Sequence, residues 1–181
     1  HDLVLSYKYE GNYVPLRGKE CSTQQMPFIS EKIPTFEEFA NASIEDIFGD
    51  EIVGAYERKV TNFESIILIN KGNNKFDIEK LPPLAQSIPI LTSDVFDINN
   101  DGYEDVIVAG NIYNTEVETP RLDNQFALVL ISDKNSNYNV LGPEKSGLYL
   151  SGNTKSIKII GNKSPKLLVA NNNSDLEVFE L

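Results

Sequence analysis

The chain has 181 residues, a net charge of −11, 40% hydrophobic and 24% charged residues. That length supports one sizeable core or two small ones, and the acidic balance argues against nucleic acid and anionic membrane as partners. One histidine and one cysteine, Cys21, exclude an internal disulfide, a His-based zinc site and a Ser-His-Asp triad built from these residues; no apolar run approaches the ~18 residues of a membrane-spanning helix.

In chain order, the first predicted strand covers residues 2–9. Tyr7, Tyr9 and Tyr13 alternate around it, a pattern expected to pack on one face. Residues 10–63 read as an insertion, partly helical, with helix confined mainly to residues 35–56. Thr35-Phe36-Glu37-Glu38 and Ser43-Ile44-Glu45-Asp46 have capping-box character. Phe36, Phe39, Ala40, Ile44, Ile47 and Phe48 carry the spacing of an amphipathic face, Pro34 blocks extension upstream and Gly49 is a natural stop. The acidic pairs Glu37/Glu38 and Asp50/Glu51 read as charges at helix starts rather than as an acid–base couple.

Beyond residue 63 the pattern is strand after strand: near 64–70, 75–80, 89–97, 105–112, 125–132, 137–141, 155–160, 166–171 and 175–180, each β-branched or apolar and bounded by turn residues. Two offsets recur. Asp105-Val106-Ile107-Val108 aligns with Lys166-Leu167-Leu168-Val169 at 61 residues, and with Asp2-Leu3-Val4-Leu5 upstream. Ile69…Phe76 aligns with Ile131…Tyr138 at 62 residues. A period near 60 with several strands per period predicts the blades of a propeller.

The chemistry-bearing stretch lies between two of these strands. Asp97-Ile98-Asn99-Asn100-Asp101-Gly102-Tyr103-Glu104-Asp105 places side-chain oxygens at loop positions 1, 3, 5 and 9, and the Tyr103 carbonyl at position 7. Hard oxygen donors in that number suit Ca²⁺. Gly102 follows position 5, where the loop turns sharply. Position 12 is Val108 rather than the Glu of an EF-hand, and the flanks are strands rather than helices.

A strand–DxNxDGxxD–strand unit resembles the FG-GAP or VCBS-type repeat of integrin α-chain propellers and secreted bacterial proteins. Asn111, after Ala109-Gly110, and Asn70-x-Gly72-x-x-x-Phe76 fit the same repeat. The order of segments, including helix near 34–48 and Leu81-Pro82-Pro83-Leu84-Ala85-Gln86, is similar to the C-terminal part of large VCBS-repeat proteins. The resemblance implies a mainly β fold of antiparallel four-stranded blades in a partial β-propeller with a small helical insertion. It divides the chain into an incomplete blade (1–84, with the insertion 10–63), a complete calcium-binding blade (85–147) and a degenerate terminal blade (148–181). The loop 161–165 of the last lacks acidic ligands, so no metal is expected there.

Functionally the resemblance implies an extracellular, cell-surface or periplasmic module, not an enzyme. Ca²⁺ is the expected cofactor, held by Asp97, Asn99, Asp101, Tyr103 and Asp105, and a protein or glycan is the expected partner. The alternative is a non-catalytic C-terminal part of a secreted polysaccharide-active enzyme. Either way the segment reads as part of a larger propeller, with no membrane insertion, and exposed strand edges would allow edge-to-edge self-association.

Overall fold

The computed structural model describes residues 3–115, 119–133, 135 and 137–181. The predicted strand at residues 2–9 therefore lies partly outside the described residues. The chain is mainly β with antiparallel sheets, and it divides into two compact units, His1–Thr61 and Asn62–Leu181.

In the first unit, β1 (Ser6–Tyr9) and β2 (Asn12–Pro15) form a hairpin pairing Tyr9 with Asn12. Glu10 and Gly11 both adopt positive φ, the backbone a two-residue hairpin turn requires. β1 thus pairs with β2, not with the strands near 64–80 that the sequence grouped with it. Alternation along the hairpin puts Tyr7 and Tyr9 on one face and Tyr13, opposite Lys8, on the other. The three tyrosines do not share a face, and Tyr7 and Tyr9 are exposed.

Helix begins earlier than expected. α1 (Lys19–Gln25) and α2 (Phe28–Lys32) precede α3 (Phe36–Ala40) and α4 (Ile44–Phe48), and a 3₁₀ turn ends at Ile52. Both capping boxes form. Thr35 accepts the Glu38 N–H at 3.1 Å, and Ser43 accepts the Asp46 N–H at 3.1 Å. Each acidic partner reaches back to its cap residue's own N–H. At Asp46 the Ser43 N–H, followed by the Ser43 hydroxyl, holds the carboxyl below the usual carboxylate range. These short helices are held by burial of Met26, Ile29, Ile33, Phe39, Ala42 and Ile47 in one cluster; helices of five to seven residues have little stability of their own.

The second unit is a stack of antiparallel sheets. β3 (Ile66–Asn70) and β4 (Phe76–Lys80) form a two-stranded sheet, and β5 (Thr92–Phe96), β6 (Asp105–Ala109), β7 (Leu128–Ser132) and β8 (Tyr138–Leu141) a four-stranded meander. Short α5 (Pro143–Ser146) follows, and β9 (Thr154–Ile160), β10 (Lys166–Asn171) and β11 (Glu177–Glu180) make a three-stranded sheet. The hairpins β3–β4 and β7–β8 share their register and close with the same bond: the Lys71 N–H donates to the Lys75 carbonyl, and the Asp133 N–H to the Asn137 carbonyl.

The two-residue period of the meander sorts its apolar side chains to opposite faces. Val106, Val108, Leu128, Leu130 and Val140 join Ile67 of β3 and Leu81, Ala85 and Ile88 in one core. Ile107, Ala109, Val129 and Leu141 join Ile157, Leu167 and Val169 of the third sheet in another. A strand buried on both faces reads as a continuous apolar run, as β6 and β7 do.

The edges β5 and β9 are tied side by side. Thr92 Oγ1 accepts the Ile157 N–H at 3.1 Å, and the Asp94 carboxylate accepts the Ile159 N–H and the Lys158 ammonium, the latter at 2.8 Å. Burial would raise the Asp94 carboxyl, but the Ile159 N–H and Lys158 outweigh it and hold the group below its ordinary value.

Candidate metal centre

The oxygen-rich stretch is the eight-residue connection 97–104 between β5 and β6, with Asp105 as the first residue of β6. Its turn is built from side-chain-to-backbone bonds, the local competition that keeps Asp and Asn out of regular structure. Asp97 uses both carboxylate oxygens, Oδ1 accepting the Asp101 N–H at 3.0 Å and Oδ2 the Gly102 N–H at 2.9 Å. Asn99 Oδ1 also accepts the Asp101 N–H, at 3.0 Å, while its Nδ2 donates to Asp101 Oδ2 at 2.8 Å. Asp101 Oδ1 accepts the Tyr103 N–H at 2.9 Å. Asn100 at φ 59° and Gly102 at φ 89° supply the left-handed backbone of the reversal.

Asp105 has a different environment. Its side chain is fully buried. Oδ1 accepts the Ser132 N–H on β7 at 2.9 Å, and Oδ2 accepts the Ile98 N–H at 3.0 Å. Ser132 adds a second tie, its hydroxyl donating to the Glu104 carbonyl at 2.8 Å. The carboxylate therefore joins the loop's first residues, the start of β6 and the end of β7.

The structure thus links Asp97, Asn99 and Asp101 through hydrogen bonds, leaves Tyr103 exposed beside them, and turns both Asp105 oxygens toward backbone N–H groups. Among the described residues no three or more His, Cys, Asp or Glu side chains are gathered as a group that could hold a metal ion. The donor chemistry nevertheless fits a hard cation. A carboxylate offers about four lone-pair sites, and the bonds to Asp97 and Asp101 engage one donor at each oxygen.

The connection 161–165 between β9 and β10, at the corresponding place in the third sheet, contains no acidic residue. Gly161 there takes positive φ.

A second polar cluster was only partly legible in the sequence. Asn111 is 1% exposed. Its N–H donates to the Thr154 carbonyl at 3.1 Å and its Nδ2 to the Gly152 carbonyl at 2.7 Å, while its Oδ1 accepts the Asn124 N–H at 3.0 Å. Lys155 Nζ closes the group on the Asn111 carbonyl at 2.7 Å. Gly110 beside it has no room for a side chain: a Cβ there would collide with the Pro89 carbonyl and sit 2.8 Å from the Leu91 nitrogen. The Gly-Asn pair is the sequence signal of this tie, because only a residue without Cβ lets the two backbones approach.

No family model, curated protein or solved structure matches the chain.

Proposed function

We propose that the chain is a calcium-braced repeat module of the FG-GAP/VCBS kind, its sheets the blades of a partial β-propeller. Its role is to support or present a binding surface for a protein or glycan partner, in an extracellular, cell-surface or periplasmic setting, rather than to catalyse a reaction. The observation that carries this reading is the β5–β6 connection. Its DxNxDG turn is folded by its own Asp and Asn side chains, and its last acidic residue, Asp105, pins it to the sheet.

In this reading the ion is taken by Asp97, Asn99, Asp101 and the Tyr103 carbonyl, with water completing the six to eight oxygens Ca²⁺ prefers. Asp105 is the strut that closes the loop. The ion would supply positive charge to a connection that otherwise carries Asp97 and Asp101 side by side, and so brace the hairpin. Such a site is structural.

The experiment is calorimetric titration of the whole chain with Ca²⁺, paired with thermal melting in calcium and in chelator. Binding to the folded chain alone raises stability by ~2.7 kcal/mol at a hundredfold excess over the dissociation constant. Asp101→Ala should abolish both the heat and the shift. No heat and an unchanged melting temperature in the wild type would remove the metal site from this proposal.

A further inference from the structure

We propose that residues 56–63 form a proteolytic processing site, cut at the Arg58–Lys59 pair by a protease that recognises basic side chains, and that the cut divides the chain into its two compact units. The site is independent of both the metal and the repeat reading above.

The sequence supplies the recognition element. Arg58 and Lys59 are the one adjacent basic pair among the 16 Lys and Arg residues of the chain. The net charge is −11, so this pair is a local exception that an anionic specificity pocket can read. The Arg58 guanidinium lies 4.7 Å from the centre of the Tyr56 ring. Tyr56 is 78% exposed, so that contact is made in solvent and does not bury the cation.

The structure supplies the access. A peptide bound as an added strand bonds to its host through its own backbone, so a protease needs a segment whose backbone groups are not already paired. Residues 50–64 are all exposed. Before the pair, the Ala55 N–H donates to the Ile52 carbonyl at 3.1 Å; after it, the Glu64 N–H donates to Asn62 Oδ1 at 2.8 Å. Between these bonds, residues 56–63 have no helix or strand, and their backbone groups make no hydrogen bond among the described residues.

Other basic residues in turns are held more closely. The Lys71 N–H donates to the Lys75 carbonyl at 2.9 Å, and the Lys75 N–H to the Gly72 carbonyl at 3.0 Å. Lys163 lies in the short connection between the paired strands β9 and β10. Arg121 adjoins Leu122, which exchanges both backbone bonds with Ile112. Cleavage at these places waits on local opening, whereas residues 56–63 need none.

The cut leaves a core on each side. Met26, Ile29, Ile33, Phe39, Ala42 and Ile47 pack together before it, and both clusters of the sheets lie after it. The boundary between the two units, after Thr61, falls in the same segment. Hydrolysis consumes one water: the amide C–N bond after Arg58 or Lys59 breaks, the hydroxyl joins the carbonyl carbon, and the proton goes to the leaving amine.

The test is limited digestion of the whole chain with trypsin, followed by intact mass. The first cut should fall after Arg58 or Lys59, and both products should outlast the intact chain by at least about tenfold, because further cleavage requires unfolding. Replacing both residues, Arg58→Gln with Lys59→Gln, should slow trypsin at least about tenfold with unchanged circular dichroism, since only the slower route through local opening remains. Chymotrypsin should still nick that variant first after Tyr56 or Phe63, which are 78% and 88% exposed. A first tryptic cut at Lys71, Lys75, Arg121 or Lys163, or a variant cut by trypsin at the wild-type rate, would overturn the site. Chymotryptic cleavage beginning outside residues 56–63 would overturn its accessibility, and products that vanish as fast as they form would overturn the division into two units.

Discussion

Asp105→Ala tests whether the last acidic residue of the loop is a strut. The side chain is fully buried and accepts two backbone N–H groups, from Ile98 and Ser132. Hydrogen bonds to a charged group contribute about 1.5–3 kcal/mol each, so removing both should cost about 3–6 kcal/mol. That is a large share of the roughly 5–15 kcal/mol that holds a domain folded. Asp105→Asn gives a milder version. One amide oxygen still accepts an N–H, while the NH₂ faces the other donor, and the cost should fall to about half. Urea unfolding followed by far-ultraviolet circular dichroism measures the loss, and amide exchange at Ser132 localises it. Both variants should be destabilised in chelator as well as in calcium, because the bonds they remove involve no ion. An Asp105→Ala unfolding free energy within about 1 kcal/mol of wild type at unchanged slope would refute the strut.

Asp101→Ala should behave oppositely: exposed, it should cost under about 1 kcal/mol in chelator and lose the calcium-dependent rise in melting temperature. Asp94→Ala, which frees the Ile159 N–H, should cost about 2 kcal/mol at neutral pH. The Asp94 carboxyl lies below its ordinary value in the folded state, so its contribution is full above about pH 4 and is lost as pH falls through the folded value. Acid titration of wild type and variant should therefore converge below that point, and a constant gap would count against the linkage. Gly110→Ala should cost about 1–3 kcal/mol by thermal melting, because two of the atoms its Cβ meets, the Pro89 carbonyl oxygen and the Leu91 nitrogen, are backbone.

Strands were legible because burial writes itself into their side-chain period. β6 and β7 are apolar on successive residues since both faces are covered, and the turn residues around them mark their ends. The hairpins β3–β4 and β7–β8 were legible from their repeated spacing and turn residues, with Asn70 and Gly72 fixing one turn through a 2.8 Å bond. The early helices were not. α1 and α2 are short, separated by Met26 and Pro27, and the buried Met26, Ile29 and Ile33, two of them just past a helix end, join one face only in the cluster with Phe39, Ala42 and Ile47. No window of one helix carries that signal. The partner of β1 was misread because Asp2-Leu3-Val4-Leu5 matches the later strands in letters, whereas pairing was decided next door by the Glu10-Gly11 turn. Local turn chemistry closes a two-residue loop at less entropic cost than a pairing across the insertion.

The loop shows where spacing stops being informative. Ligand-type residues at positions 1, 3, 5 and 9 look equivalent in a string of letters. In the fold Asp97, Asn99 and Asp101 lie on a connection that is partly or wholly exposed, whereas Asp105 lies at the start of a strand covered on both sides. An ionised carboxylate in such a place needs donors, and the Ser132 and Ile98 N–H groups are those donors. The same four oxygen-bearing residues therefore divide into a turn that folds on itself and a strut that ties it to β7. The sequence could mark all four as oxygen donors, but only the pairing of β6 with β7, which brings Ser132 alongside Asp105, assigns them different tasks. An aspartate in both places is required for different reasons: charge that faces solvent in one, and acceptors for two buried N–H groups in the other.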